Sequence, residues 1–271
     1  MPRKKVGLAL GSGGTRGISH IGVIKSLVEN NIPIDYISGT SIGAVVGGAY
    51  ACLGDIYEVE KICLEFNFRE FIEAFTDPTI RSGIFKGDRV IQLLTKYIGD
   101  AEIQDLNIPF RAVAADLVSG EIFEFDKGDL ASAIRASSSV PFLFKPFEKQ
   151  KKFLIDGGAA EPVPARTARE MGADYVIAVN LDSVFFPLKK NLKDGRTHSS
   201  LSILRRTLEL FRYHLAEENV KVADIVIEPN VPDQRLIRLI HKRRIRKVIK
   251  KGEKVTKKKI RQIKRDIYGD N

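Results

Sequence analysis

The 271-residue chain has no tryptophan, two cysteines, two methionines and four histidines. Each scarcity closes a route. Cys52 and Cys63 lie eleven apart with no C-x-x-C, which excludes a disulfide framework and a cysteine-based zinc site and fits a reducing compartment. Both cysteines read as small core residues. No His/Cys/Asp cluster has metal-ligand spacing, so no metal and no cofactor are expected. Long apolar runs are missing too. The longest weakly polar stretch, Ile42 to Gly54, has 13 residues and four glycines, too few to span a bilayer. The basic start "MPRKKVGLALGSGG" is followed only by the short apolar stretch Val6 to Leu10, which does not make a signal-peptide core. These features predict a cytoplasmic protein without a transmembrane segment.

Charge is present in quantity but unevenly placed. The net charge is +10, yet residues 235–265 hold 16 Lys or Arg against one acid, Glu253. The body is therefore mildly acidic and the C-terminal region strongly basic. In that region Leu236, Ile237, Ile240, Ile245, Val248 and Ile249, then Ile260, Ile263 and Ile267, recur near helical spacing. They predict two cationic amphipathic helices broken at Gly252, a natural C-cap. Such helices suit peripheral contact with an anionic membrane, at the inner face for a cytoplasmic protein. With no aromatic residue before Tyr268 to stack bases, they argue against more than sequence-blind nucleic-acid binding. A face packed on the body with its charges solvated is the third reading.

Along the rest of the chain β and α patterns alternate. A strand over 5–10, a glycine loop, a helix to Asn30-Asn31 and a strand over 34–38 make a βαβ unit, hence a parallel pair. Helix is predicted over 42–53, in one or two pieces over 55–75, and over 88–98, 129–139, 163–171 and 199–220. Strands are predicted at 109–125 (a hairpin), 144–158 (a second hairpin), 174–181 and 223–229. The alternation implies an α/β fold with a mostly parallel sheet covered on both faces.

Three stretches carry chemistry. "GTSIG", Gly39 to Gly43, sets Ser41 between a strand and a small-residue helix. That suits a nucleophile elbow, but equally a glycine-rich turn. "GSGGTRG", Gly11 to Gly17, joins the first strand to the first helix. It misses the G-x-G-x-x-G spacing of a dinucleotide site, because Arg16 stands where the third glycine belongs, and no G-K-[ST] follows for a P-loop. Its amides could instead converge on a phosphate or on an oxyanion formed during acyl transfer. A serine needs a partner to take its proton. None of His20, His198, His214 and His241 falls in a glycine-rich turn after a strand. An α/β-hydrolase triad would recruit His198 or His214, but that fold sets its serine after more strands than the two found here. Asp156, ending a predicted strand and followed by Gly157 and Gly158, is the better candidate base. Taken alone it reads as a β-turn aspartate.

Taken together, "GSGGTRG", "GTSIG" and "DGG", with "HIGVIKSL", "AADLVSGE" and "AIRASSSVPFLFKPF" in order between them, resemble the patatin-like phospholipases over roughly residues 5–181. The resemblance implies a three-layer αβα fold and a lipid acyl hydrolase that needs no metal. It also implies a Ser-Asp dyad of Ser41 as nucleophile and Asp156 as general base. Gly13 and Gly14 would supply oxyanion amides, with Gly11, Arg16 and Gly17 completing the loop. Ser12 stands where the family commonly has glycine, and Glu161 where asparagine is frequent. The implied organisation is a catalytic domain over 1–232 and a basic helical extension over 233–271, the latter not supplied by the resemblance. A lipid ester would be the substrate. The rival reading is a regulatory protein without turnover that binds membrane or nucleic acid.

Overall fold

The computed structural model describes residues 3–66, 85–186, 200–232 and 241–269, together with Glu70, Glu73 and Asp77. Its centre is an eight-stranded sheet. β1 (Val6–Leu10), β2 (Tyr36–Thr40), β3 (Phe110–Asp116), β7 (Tyr175–Val179) and β8 (Ile225–Ile227) run parallel in the order β3-β2-β1-β7-β8. β4 (Ile122–Phe125) and the hairpin β5 (Phe147–Lys149) and β6 (Lys152–Asp156) add antiparallel strands around β3.

The parallel strands are buried on both faces, and their residues alternate between two apolar clusters. Leu8, Leu10, Ile177 and Val179 point into the larger cluster. It is covered by α1 (Ser19–Glu29), α2 (Ile42–Leu53), α3 (Ile56–Glu65) and α5 (Leu130–Ser137). Ala9, Val176 and Ala178 face the smaller cluster, covered by α6 (Ala165–Glu170) and by Ala216 of α7 (Ser200–Asn219). Large side chains on one face and alanines on the other let the second helical layer approach closely. The architecture is three-layered with a mostly parallel sheet, as the alternating pattern predicts.

One register positions the site. β2 borders β3 as far as Thr40, opposite Val113. Ala112 pairs with both Gly39 and Phe125, and Ala114 with both Phe123 and Asp156, so β2 and β6 share one edge of β3 and β4 takes the other. β6 enters that edge just where β2 ends. Its last residue, Asp156, is thereby delivered to the residue that follows β2, Ser41.

Among the described residues the predicted elements fall where expected, including α4 (Asp88–Ile98), with one correction; the helical prediction over 67–75 lies, but for Glu70 and Glu73, outside them. The basic helices are α8 (Lys242–Lys257) and α9 (Ile260–Tyr268), and the break lies at Lys258-Lys259, not at Gly252. Gly252 is buried in mid-helix because α8 crosses α1 at backbone contact. A Cβ on Gly252 would lie 2.1 Å from Ser19 O, and one on Gly22 would lie 1.9 Å from Ile249 O. Ile245, Val248, Ile249, Ile260, Ile263 and Ile267 join the same cluster as β1 and α1. Glu253, the lone acid of the basic region, pairs with Lys25 of α1 at 3.4 Å. Leu236, Ile237 and Ile240, and the phenylalanines at 68, 71 and 75, lie outside the described residues. Among the described residues no helix is long and apolar enough to cross a membrane.

Candidate active site

β1 and β2 end side by side, Leu10 opposite Gly39, so the glycine loop and the G-x-S-x-G turn leave the sheet at one edge. This is where open α/β sheets place their ligands. The turn is tight. Ser41 has φ 56° and ψ −123°, a conformation that L-residues adopt only when their surroundings impose it. Glycines on either side permit it by close approach: a Cβ on Gly43 would lie 2.0 Å from Leu10 O, and one on Gly39 would lie 2.6 Å from Ala44 Cα. The Ser41 amide donates to Ser137 Oγ at 2.9 Å, and Ser137 Oγ donates to Val113 O at 2.6 Å. A buried serine at the end of α5 thus ties the strained residue to β3. No sequence signal assigned Ser137 a role. It lies inside a serine run, and only the packing of α5 on β3 separates it from its neighbours.

Ser41 Oγ donates to Asp156 Oδ2 at 2.5 Å. The other carboxylate oxygen, Oδ1, accepts from the Gly158 amide at 2.8 Å, within the short turn Gly157–Ala159 that follows β6. The Asp156 amide donates to Ser139 O at 3.0 Å. Burial pushes the Asp156 carboxyl above the usual carboxylate range, against the opposing hydrogen bonds from Ser41 and Gly158 and the charge of Arg212.

The glycine loop is held from three sides. The Gly11 amide donates to Val179 O and the Ser12 amide to Pro162 O. Buried Arg16 donates through Nε to Gly13 O at 3.1 Å, through Nη1 to Leu181 O and through Nη2 to Asp182 at 2.9 Å, and its guanidinium lies on the Phe185 ring. Gly17 abuts Ile42 of α2. The amides of Gly13 and Gly14 have no protein acceptor among the described residues. The loop borders the Asp156 turn, since a Cβ on Gly158 would lie 3.1 Å from Ser12 Oγ.

Arg212 of α7 was not legible as a site residue. It donates to Ser12 Oγ at 2.8 Å and to both oxygens of Asp182, so Asp182 is shared by two arginines. Ser12, in place of a glycine, gives α7 its hold on the loop. Glu161 is buried, its Oε2 accepting from Thr167 Oγ1, while its backbone carbonyl accepts from Thr40 beside the elbow. Among the described residues no histidine hydrogen-bonds to Ser41. His20 is wholly buried with Nε2 donating to Gly11 O, and His214 lies against Tyr213. His198 lies outside the described residues. Phe144 is buried beneath Arg135, and Phe142 projects outward. Among the described residues no three His, Cys, Asp or Glu side chains group as a metal site would need.

The site is that of an α/β protein with a strained serine, hydrogen-bonded to a carboxylate, between a parallel strand and a helix. The sequence model of the patatin-like phospholipase family matches residues 8–169, and the chain belongs to that family. An uncharacterized NTE family protein of Mycobacterium tuberculosis is 39% identical over 179 residues, 66% of this chain and 49% of that protein. Lysophospholipase NTE1 of Candida albicans is 34% identical over 189 residues, 68% of this chain and 14% of that protein. The chain thus spans about half the length of the mycobacterial relative and a small part of the fungal one. Two solved structures share the fold. VipD from Legionella pneumophila superposes with a TM-score of 0.53 at 15% identity, covering 97% of this chain and 67% of that one. The type III effector ExoU superposes at 0.52 and 10% identity, covering 97% and 54%.

Proposed function

We propose that this chain is a lipid acyl hydrolase working through Ser41 and Asp156. The observation that carries the reading is the 2.5 Å hydrogen bond from a backbone-strained serine to a carboxylate whose proton affinity burial has raised. An unperturbed aspartate, with a pKa of about 4, is a weak base for a hydroxyl, and burial moves it toward useful strength. Ser41 Oγ attacks the ester carbonyl carbon as its proton passes to Asp156. The carbonyl oxygen becomes an oxyanion, for which the Gly13 and Gly14 amides are the donors, with the positive end of α2 behind Ser41. Collapse breaks the ester bond, and the alcohol leaves with the proton from Asp156. Water, deprotonated by Asp156, then releases the acid and restores Ser41. Family membership and a relative named as a lysophospholipase support a lipid ester as substrate. The cations of α8 and α9 remain available for peripheral attraction to an anionic membrane.

A fluorophosphonate probe with mass-spectrometric mapping tests the reading. The expected result is labelling at Ser41 that collapses in Asp156→Asn. A folded protein that does not label, or an Asp156→Asn variant that labels as fast as the parent, sinks the dyad and shifts weight to a binding protein without turnover. The same variant has a stability signature. Because the folded pKa of Asp156 is raised, the ionised form weakens the native state, and stability falls as pH rises from the unfolded pKa through the folded one. Asp156→Asn should therefore raise Tm at neutral pH and lose that advantage at pH below about 4.

A further inference from the structure

The glycine loop must hold still if its amides are to serve an oxyanion, yet glycine leaves a chain the widest conformational freedom. Gly11, Gly13, Gly14 and Gly17 fall within seven residues. Two arginines that share one buried carboxylate, Asp182, steady them. Arg16 donates to Asp182 from within the loop, and Arg212 donates to both its oxygens from α7, at 3.1 and 2.9 Å. α7 reaches the same segment a second time. Glu217 accepts from Asn180 Nδ2 at 3.3 Å, and Asn180 Oδ1 accepts from the Asp182 amide at 2.9 Å.

The consequence runs through one peptide bond. Gly13 O accepts from Arg16 Nε at 3.1 Å and from the Arg16 amide at 3.2 Å. A trans peptide is planar, so its C=O and N–H point in opposite directions. Whatever fixes the Gly13 carbonyl therefore aims the Gly14 amide, one of the two donors assigned to the oxyanion. A cation on that carbonyl also polarises the peptide and strengthens its N–H as a donor. One residue upstream, Ser12 Oγ accepts from Arg212 Nη2 at 2.8 Å. The Arg212 guanidinium thus holds the loop at two points, directly at Ser12 and through Asp182 and Arg16 at Gly13 O. Asp182 and Arg212 both lie beyond the stretch 8–169 that the family model matches.

We propose that Arg212 is a positioning residue for acyl transfer: from α7, through Ser12 and through Asp182 and Arg16, it holds the Gly13–Gly14 peptide with its N–H aimed at the oxyanion. The proposal rests on the acyl-hydrolase reading and deepens it. A donor fixed in advance needs no reorganisation as charge develops on the substrate. That gain belongs to the transition state, so losing it lowers kcat and leaves KM.

Arg212→Gln and Ser12→Gly, each made in the full chain, test this with 4-nitrophenyl butyrate turnover and fluorophosphonate titration. Ser12→Gly removes the direct acceptor of Arg212 and adds no bulk. In Arg212→Gln kcat should fall roughly 10- to 100-fold at little-changed KM. The fluorophosphonate should still label Ser41 to the parent's end point, but more slowly. Ser12→Gly should act in the same sense and less strongly, and the double variant should fall little below Arg212→Gln, because both changes cut one hold. Of the charges that bear on Asp156, that of Arg212 favours the carboxylate and that of Asp182 the acid. Removing the arginine should therefore also carry the acid limb of kcat/KM to higher pH. Three results overturn the proposal. An unchanged kcat in Arg212→Gln means that the loop holds itself. A lower labelling end point, with turnover per labelled Ser41 unchanged, makes the role one of folding alone. A raised KM with kcat intact makes Arg212 a substrate-binding group. Amide hydrogen exchange reads the clamp without turnover. The amides of Gly11, Ser12 and Arg16, which donate to Val179 O, Pro162 O and Gly13 O, should exchange faster in Arg212→Gln, and unchanged exchange overturns the clamp. A parent that neither labels nor turns over the ester removes the hydrolase reading and the catalytic role with it, and leaves the exchange result to decide the clamp.

Discussion

At the scale of single residues, burial decides what each ionisable group does. Asp156 and His20 both leave water, but to different ends. Asp156 is pushed toward holding a proton beside Ser41, while His20 is pushed to about 4, with Nε2–H on Gly11 O and Nδ1 lacking a partner among the described residues. Protonating His20 would place an unpaired N–H in the core beneath the glycine loop. Its folded pKa lies below the ordinary value of about 6.5, so it contributes stability above that pH, and this is lost as pH falls toward 4. The span amounts to about 3 kcal/mol. His20→Gln, which keeps a donor for Gly11 O, should flatten the loss of stability between these pH values. Denaturant melts across that range measure it, and an unchanged slope would show that other groups govern acid unfolding. Ser41, Asp156 and the glycine loop stood out in the sequence because glycines punctuate them. Ser137 and Arg212 did not, because serine and arginine are common and only the fold brings these two to the elbow and the loop.

At the scale of elements, the contact of α1 with α8 explains why a glycine can sit in mid-helix. Gly252 read as a stop signal because glycine often ends helices. Here it is a contact residue, and its counterpart Gly22 lies on α1. In an isolated helix Gly22→Ala would gain about 1 kcal/mol of helix propensity. The added Cβ would meet the Ile249 carbonyl, a backbone group that cannot swing aside, and overpacking of this kind costs about 1–3 kcal/mol. The clash outweighs propensity, so Gly22→Ala should lower Tm, as should Gly252→Ala against Ser19 O. A higher Tm in either variant would mean that the helices separate easily. β6 gives the same lesson in a strand. Its pattern announced a hairpin, but its entry onto the edge that β2 vacates was visible only in the register.

At the scale of the whole molecule, the basic region is part of the body's packing. α8 and α9 turn their isoleucines and valines into the core shared with β1 and α1 and leave their cations outside. Each such buried side chain is worth about 1.5–3 kcal/mol as an upper estimate. Deleting 233–271 should therefore expose the apolar side of α1 and yield a chain that binds hydrophobic dyes and aggregates. A truncated protein that stays monomeric with an unchanged Tm would show that residues 1–232 fold alone. Exposed apolar side chains lie instead on α7, at Ile203, Leu204, Leu208 and Phe211.

The sequence by itself determined the local chemistry: the alternation of strands and helices, the serine between glycines, the aspartate before two more, and the family to which these belong. Such features are written in short windows, through hydrophobic period and glycine spacing. Tertiary structure alone decided which side of each amphipathic helix meets the body. Periodicity marks an apolar stripe on α7 and on α8 alike, and gives no direction in space. Packing turns the stripe of α8 inward against α1. The polar clamp of Arg206 and Arg212 on Phe185, Asp182 and Ser12 turns that of α7 outward.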